Sequence, residues 1–289
     1  KPVRGVLPMA VRAREEGLRR LVLPAANAAE AAVVEGVEVI GAGSLKEVIG
    51  LLNGEREMTP AVPADGEPFG AEAGRYEEDF ADVKGQTHVK RALEIAAAGG
   101  HNVLMIGAPG SGKTMLASRM PGIMCPLSES EQLEVATVRS LCGTLPAYGI
   151  SDVPPFEAPH HTSSTAALVG GGTGVAMPGA ITKAHRGVLF MDEAPEFSAR
   201  SLQTLREPLE SGYVAVSRSK GTAYYPAAFQ LVMAANPCPC GMSYGTGERC
   251  TCTQRERQRY FARLSGPILD RIDIQVEVPP VSGMLLGQE

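Results

Sequence analysis

Eight residues, GAPGSGKT from Gly107 to Thr114, leave this chain little choice of architecture. They fit the spacing G-x-x-x-x-G-K-[ST] and lie between an apolar run, HNVLMIG, and a helix-forming run, KTMLASRM. A strand, a glycine loop and a helix in that order are the context in which such a loop cradles nucleotide phosphates. Gly107, Gly110 and Gly112 let the backbone turn tightly and aim N–H groups at phosphate oxygens, with Ala108, Pro109 and Ser111 completing the loop. The start of the helix adds positive potential. Lys113 is expected to reach the β- and γ-phosphates, and Thr114 to hold Mg2+. The implied ligand is ATP or GTP.

Two further apolar runs end in polar residues suited to the same chemistry. GVLFMD, starting at Gly187, ends in Asp192 followed by Glu193. Asp192 is expected in the Mg2+ shell and Glu193 beside the attacking water; the plainer reading is two carboxylates capping a strand end. An adjacent Asp-Glu pair favours ATP over GTP as substrate. FQLVMAAN ends in Asn236, which either faces the γ-phosphate and holds the water or caps the next turn. Buried apolar strands alternating with helices, such as QTHVKRALEIAAAGG and SARSLQTLREPLESG capped by Ser198, indicate an α/β fold with a mainly parallel sheet covered on both faces. Its carboxyl edge is where such sheets place ligands.

Three segments are expected. Residues 1–54 read as a small α/β piece, with a helix over Val11–Leu21, strands in RRLVLP and VEVIG, a short helix capped by Asn27, and a closing helix capped by Ser44. Residues 55–79 carry eight acids, two bases and three prolines, which reads as a solvated linker or as an irregular loop packed on a domain. That segment holds −6 of the chain's net −5, leaving the remainder at +1. Residues 80–289 read as one nucleotide-binding domain. The acidic balance excludes general polyanion binding by the whole surface but not a local basic channel. No apolar run approaches a membrane span and no signal peptide is visible, so a cytoplasmic protein without membrane contact is expected. The ends, KPVRGV and MLLGQE, suggest a fragment.

Cys238, Cys240, Cys250 and Cys252 form CxC-x9-CxC directly behind Asn236. Four thiolates suit tetrahedral zinc, although one-residue spacers are tighter than usual; free thiols, redox pairs and an iron–sulfur cluster are the alternatives. With Pro237, a metal knot there would hold Asn236 rigidly. Arg249, Arg255, Arg257, Arg259 and Arg263 follow with one acid among them, as a nucleic-acid contact or a solvated helix. Arg271, between Asp270 and Asp273, reads either as a buried ion-pair network or as a finger reaching a neighbouring subunit's γ-phosphate. His160 and His161, on an extended chain, should point in different directions, which favours structural hydrogen bonding over a metal site.

The order of phosphate loop, APHHTSSTAALVGGG, GAITKAHRGVLFMDE, AANPCPCG and SGPILDRIDI resembles the magnesium-chelatase-like AAA+ ATPases, and within them the YifB/ComM group of ring helicases acting in DNA branch migration during natural transformation. The resemblance implies an AAA+ P-loop core, with Gly107–Thr114 as Walker A, Asp192 and Glu193 as Walker B, Asn236 as sensor 1 and Arg271 as arginine finger. It implies ATP and Mg2+, a homo-oligomer of hexameric form, and DNA, branched or single-stranded, as partner. Leu168–Lys183 matches the helix-2 insert and Tyr213–Tyr225 the pre-sensor hairpin, so Arg218 and Lys220 would touch DNA phosphates or form an ordinary hydrophilic tip. The helical lid that the family carries after the sheet is not expected in this chain, which puts hydrolysis by the fragment alone in question. A chelatase motor remodelling a protein partner and a non-hydrolysing nucleotide-dependent scaffold are the rival functions. The front 54 residues resemble the last part of a Lon-protease-like domain; the catalytic lysine would fall near Met9, and a thioether is no general base, so proteolysis is rejected.

Overall fold

The computed structural model describes residues 1–63, 76–145, 150–172, 176–218, 221–244, 249–264 and 266–280. By packing, the chain divides into two units, Lys1–Arg75 with Leu127–Asp152, and Tyr76–Pro126 with Val153–Glu289.

The first unit contains α1 (Val6–Glu15), β1 (Arg20–Pro24), α2 (Ala25–Ala31), β2 (Glu38–Ala42), α3 (Leu45–Leu52) and, from the middle of the chain, α6 (Glu129–Cys142). β1 and β2 pair in parallel from Arg20↔Glu38 to Pro24↔Ala42. The first helix sits five residues earlier than the charge pattern suggested. Gly17, at φ 70°, closes it, because the left-handed conformation suits glycine and lets Leu18 N–H return to the Ala13 carbonyl at 2.9 Å. Asn27 is not a cap. It lies inside α2, and its amide brackets the Val3 backbone with two 2.9 Å bonds. Ser44 does cap α3, accepting from Glu47 N–H at 3.3 Å.

Residues 127–152 fall inside the stretch read from sequence as the nucleotide-binding domain, yet they pack with the front segment. Ala136 and Ile150 join Val6, Leu7, Ala10, Leu23, Ala28 and Val39 in one buried cluster. Ser140 fastens the arrangement: its carbonyl accepts from Gly5 N–H at 3.2 Å, and its hydroxyl donates to Glu30 at 2.5 Å. A front segment too short to build a core by itself thus completes one with a helix borrowed from later in the chain. Of the acidic stretch 55–79, residues 64–75 lie outside the described residues. Its last part, residues 76–79, is docked on the second unit: Tyr76 donates to the Ser118 carbonyl, and Arg119 bonds the Asp79 carbonyl at 2.9 Å and Glu78 at 3.3 Å.

The second unit is built on a five-stranded sheet of β3 (Val103–Gly107), β4 (Phe156–Glu157), β7 (Val188–Met191), β10 (Gln230–Ala235) and β11 (Ile274–Val278). All pairings are parallel, in the order β11-β3-β10-β7-β4. The three central strands are the apolar runs read from sequence. The edge strands lack that signature: β4 has two residues, and β11 alternates partly buried and exposed positions along IQVEV. Helices α4 (Thr87–Gly99) and α5 (Lys113–Ser118) supply Val89, Leu93 and Leu116 to a core centred on Met105, Phe190 and Val232. Smaller elements decorate this frame: α7 (Thr165–Val169), α8 (Ala180–Lys183), the β5–β6 pair (Gly170–Gly171 with Met177–Pro178), the β8–β9 hairpin (Tyr213–Arg218 with Gly221–Pro226), α11 (Gln254–Ala262) and α12 (Gly266–Leu269). The helix expected from Ser198 is two, α9 (Ala199–Gln203) and α10 (Arg206–Ser211), because Pro208 has no N–H to offer the Thr204 carbonyl. Ser198 caps the first of them, accepting from Ser201 N–H at 3.0 Å. No helix among the described residues is long and apolar enough to cross a membrane.

Gly187 sets how closely β4 lies beside β7. A Cβ on Gly187 would meet the Pro155 carbonyl oxygen at 2.0 Å and the Pro155 nitrogen at 2.6 Å, so only glycine permits the Val188 N–H to bond that carbonyl at 2.8 Å. Gly187→Ala should therefore lower stability by about 1–3 kcal/mol, read as a fall in the urea midpoint at unchanged slope. An unchanged midpoint would show that the strands can separate without cost.

Candidate nucleotide-binding site

Parallel register brings three strand ends to one edge. β3 delivers Gly107 and the loop behind it, β7 delivers Asp192 and Glu193, and β10 delivers Asn236. The cleft between them has a volume of about 420 Å3 and is lined by residues 109–115 together with Asp192, Glu193 and Asn236. That is large enough for a nucleotide's phosphate tail.

Within the cleft the side chains are already interlocked. Lys113 is buried, and its ammonium donates to the Gly107 carbonyl at 2.7 Å, the Ala108 carbonyl at 3.0 Å and Asn236 Oδ1 at 3.2 Å. Burial pushes the Lys113 pKa below its ordinary value, against the opposing pull of Asp192 and Glu193. Phosphate oxygens would restore what burial removes. Thr114 Oγ1 donates to Asp192 Oδ2 at 2.6 Å, so the two groups expected around Mg2+ stand together. Glu193 has a left-handed backbone, φ 50°, and its N–H folds back onto Asp192 Oδ1 at 2.9 Å. A non-glycine residue held in that region costs free energy. The loop itself turns through Gly110 and Gly112, at φ 74° and 92°. The buried hydroxyl oxygen of Ser111 has no protein partner; it is packed beneath the loop, close to Gly107. Loop, lysine, hydroxyl and carboxylate thus fit Mg2+ and a nucleoside triphosphate.

His161 is the residue the sequence reading did not place here. Its Nδ1 stands 3.0 Å from Glu193 Oε2. β4 pairs Glu157 with Leu189, so the chain leaving β4 passes alongside the Asp192–Glu193 turn. Strand order carries that information, and no local pattern in APHHT announces it. His160 hydrogen bonds Thr162 Oγ1 at 2.8 Å, but the two rings do not diverge: their centroids are 4.2 Å apart.

Arg271 is not in this cleft. β11 runs parallel to β3 with Ile274 level with Val103 and Val278 level with Gly107, so Arg271 belongs to the opposite edge, more than about 13 Å away along the strand. There it pairs with the exposed carboxylate of Glu210, not with Asp270 or Asp273 in a buried network. Asn102 fixes this edge, donating to the Arg271 carbonyl at 2.9 Å and accepting from Leu231 N–H at 2.8 Å. Arg218 ends β8, and Lys220 lies outside the described residues.

The four cysteines do converge. Their sulfurs all lie within 4.8 Å of one another, with Cys238–Cys240 at 3.3 Å, Cys238–Cys250 at 3.7 Å and Cys240–Cys250 at 3.8 Å. These are not disulfides. Metal–sulfur bonds of about 2.3 Å at tetrahedral angles would set sulfurs about 3.8 Å apart, so the spacing fits a thiolate metal centre. The Met242 backbone N–H and the Cys238 thiol hold Cys240 down to about 6, whereas burial pushes the Cys238 thiol up.

Comparison with known proteins agrees with this geometry. Competence protein ComM of Haemophilus influenzae is 44% identical over 277 residues, 96% of this chain and 54% of that protein. The uncharacterized protein YifB of Escherichia coli is 44% identical over 284 residues, 98% of this chain and again 54% of the relative. The chain therefore spans about half the length of these relatives. Lon protease 2 of Bacillus subtilis is 31% identical over 155 residues, 51% of this chain and 27% of that enzyme, a match too long to be confined to residues 1–54. The family model for magnesium chelatase, subunit ChlI, matches residues 79–286, which takes in the phosphate loop, the Asp-Glu pair, Asn236 and the cysteines. With its five parallel strands meeting at that loop, the chain belongs to the magnesium chelatase ChlI family of AAA+ proteins.

Proposed function

We propose that this chain is the ATP-hydrolysing core of a ring motor that works on DNA, as a helicase or branch-migration enzyme. The convergence of Lys113, Thr114 with Asp192, Glu193 and Asn236 in one cleft carries the reading. Mg2+ held by Thr114 and Asp192 would neutralise phosphate charge. Lys113, exchanging its loop carbonyls for phosphate oxygens, binds the β- and γ-phosphates and stabilises charge as the bond breaks. Glu193 polarises the attacking water, and His161 fixes the direction in which its carboxylate points. Asn236 Oδ1, now bonded to Lys113, orients that water once the lysine turns to phosphate.

Arg271 completes the reading only across a subunit boundary, since it lies at the far edge of its own sheet. A homo-oligomer, hexameric by family resemblance, would bring it to a neighbour's γ-phosphate. DNA is the preferred partner because one relative is named a competence protein, and because the β8–β9 hairpin carries Arg218 and Lys220 at its tip in sequence. The family's chelatase name favours a second reading, a motor that remodels a metal-inserting protein. We also propose that the four cysteines hold zinc; about one equivalent per chain by elemental analysis is expected, and metal-free folded protein would refute it.

The central experiment is ATPase measurement on full-length protein with and without forked DNA. Stimulation by DNA supports the helicase reading; stimulation only by a porphyrin-binding partner supports the chelatase reading. Lys113→Ala should abolish nucleotide binding. Glu193→Gln should keep binding but lose about 10²–10⁴-fold in kcat. His161→Ala should lower kcat by about 10- to 100-fold at unchanged nucleotide Kd; a matching rise in Kd would make the histidine a binding residue instead. Arg271→Ala should be inactive alone yet regain turnover in mixed rings with Glu193→Gln subunits, each supplying what the other lacks. Absence of that recovery would remove the trans-acting role.

A further inference from the structure

The cysteine knot is joined to the nucleotide cleft at three points, only one of which the sequence could suggest. The first is the chain itself: Asn236 is two residues from Cys238, which is fully buried. The second is a contact with the phosphate loop. Gly241, at φ 76°, lies so close to Pro109 that a Cβ there would sit 2.6 Å from Pro109 Cδ. The third runs through α11, which starts two residues after Cys252 with Thr253 and Glu256 capping each other. On that helix Tyr260 is buried with its phenolic oxygen against the Asn236 backbone. Just beyond it, Arg263 donates to the Pro195 carbonyl at 3.3 Å and to Glu196 at 3.0 Å, bracing the turn that carries Glu193.

Between β10 and α11 the described backbone forms no helix or strand. Four sulfurs drawn to one metal ion would cross-link the two ends of that stretch. Among the described residues, Gly241 N–H bonds the Cys238 carbonyl at 3.0 Å and Ser243 N–H bonds Cys238 Sγ at 3.3 Å, while Arg257 of α11 donates to Ser243 Oγ at 3.1 Å.

We infer that the four-thiolate centre is a working part of the nucleotide site: with zinc bound it holds Pro109 and Asn236 in register, so that metal occupancy and nucleotide affinity rise and fall together. The inference rests on the zinc reading above and extends it from a structural knot to a positioning element. Free-energy coupling between two ligands is reciprocal, so nucleotide must tighten the metal by the same factor that the metal tightens the nucleotide.

Reciprocity gives a test on the unmodified full-length protein. Zinc is partitioned at equilibrium between the protein and a competing chromogenic chelator, with and without saturating ADP and Mg2+. We expect ADP to tighten zinc by about tenfold, within the range usual for linked sites. Equal zinc affinity with and without ADP, from protein shown to contain zinc, would overturn the coupling while leaving the zinc reading intact. Protein that contains no zinc and still binds ADP would overturn both. Gly241→Ala keeps all four thiols but forces the knot off Pro109. It should weaken binding of a fluorescent ADP analogue by about tenfold with the fold unchanged by circular dichroism. Wild-type affinity in that variant would show that the contact positions nothing.

Discussion

The parallel pairing of β3, β10 and β7 is the constraint from which the site follows. With Val103 level with Val232 and Val188 level with Gln230, all three strands emerge at the same edge. Each then contributes a different chemical group: backbone donors and an ammonium, an amide, and two carboxylates. None of these groups is near another in sequence; Lys113 and Asn236 are 123 residues apart and within 3.2 Å. The buried aliphatic faces of these strands hold that register, since a slip would exchange Met105, Phe190 and Val232 with the differently packed residues of the sheet's other buried face. Charged groups can be gathered in the cleft because the apolar sheet beneath them does not need their help to fold.

That division of labour explains the local costs at the edge. A buried lysine, a left-handed glutamate and an unpartnered serine hydroxyl would each count against a protein selected for stability alone. All three lie within the span of one phosphate tail. The lysine is temporarily satisfied by two loop carbonyls and Asn236, contacts that phosphate oxygens can replace without moving the backbone. His161 does for Glu193 what Asp192 does for Thr114, giving a side chain one preferred direction. Preorganisation of this kind is how a fixed site lowers a barrier without spending free energy at the moment of reaction.

Much of this was legible in the sequence because the signals are local. A glycine loop between strand and helix, and apolar strands ending in Asp-Glu or Asn, state both the fold and the residues at its edge. The cysteine spacing likewise pointed to a cluster. What escaped depends on distant pairing. His161 reaches Glu193 only because β4 takes the outer place beside β7, and nothing in a two-residue strand declares its neighbour. Residues 129–142 lie inside the stretch read as one nucleotide-binding domain, and no pattern within them says that Ala136 belongs with Leu7. Asn27 looked like a cap because asparagine favours caps; its amide instead found the unpaired Val3 backbone, a tertiary partner that propensity does not see.

The same sheet geometry limits what Arg271 can do. Every parallel strand has one end at the cleft and the other at the far edge, and Asn102 ties Arg271 to the far edge of β3. A side chain spans roughly half of the ~13 Å between those edges at most. So an arginine at this position either serves only its pairing with Glu210 or acts on a nucleotide bound by another chain. The pairing with Glu210 is exposed on both sides and worth little in stability, about 0–1 kcal/mol, so it restrains the guanidinium without committing it. Under the proposal that Arg271 acts in trans, a tether of that kind is suitable: it holds the side chain, yet it costs little to surrender to a more highly charged partner.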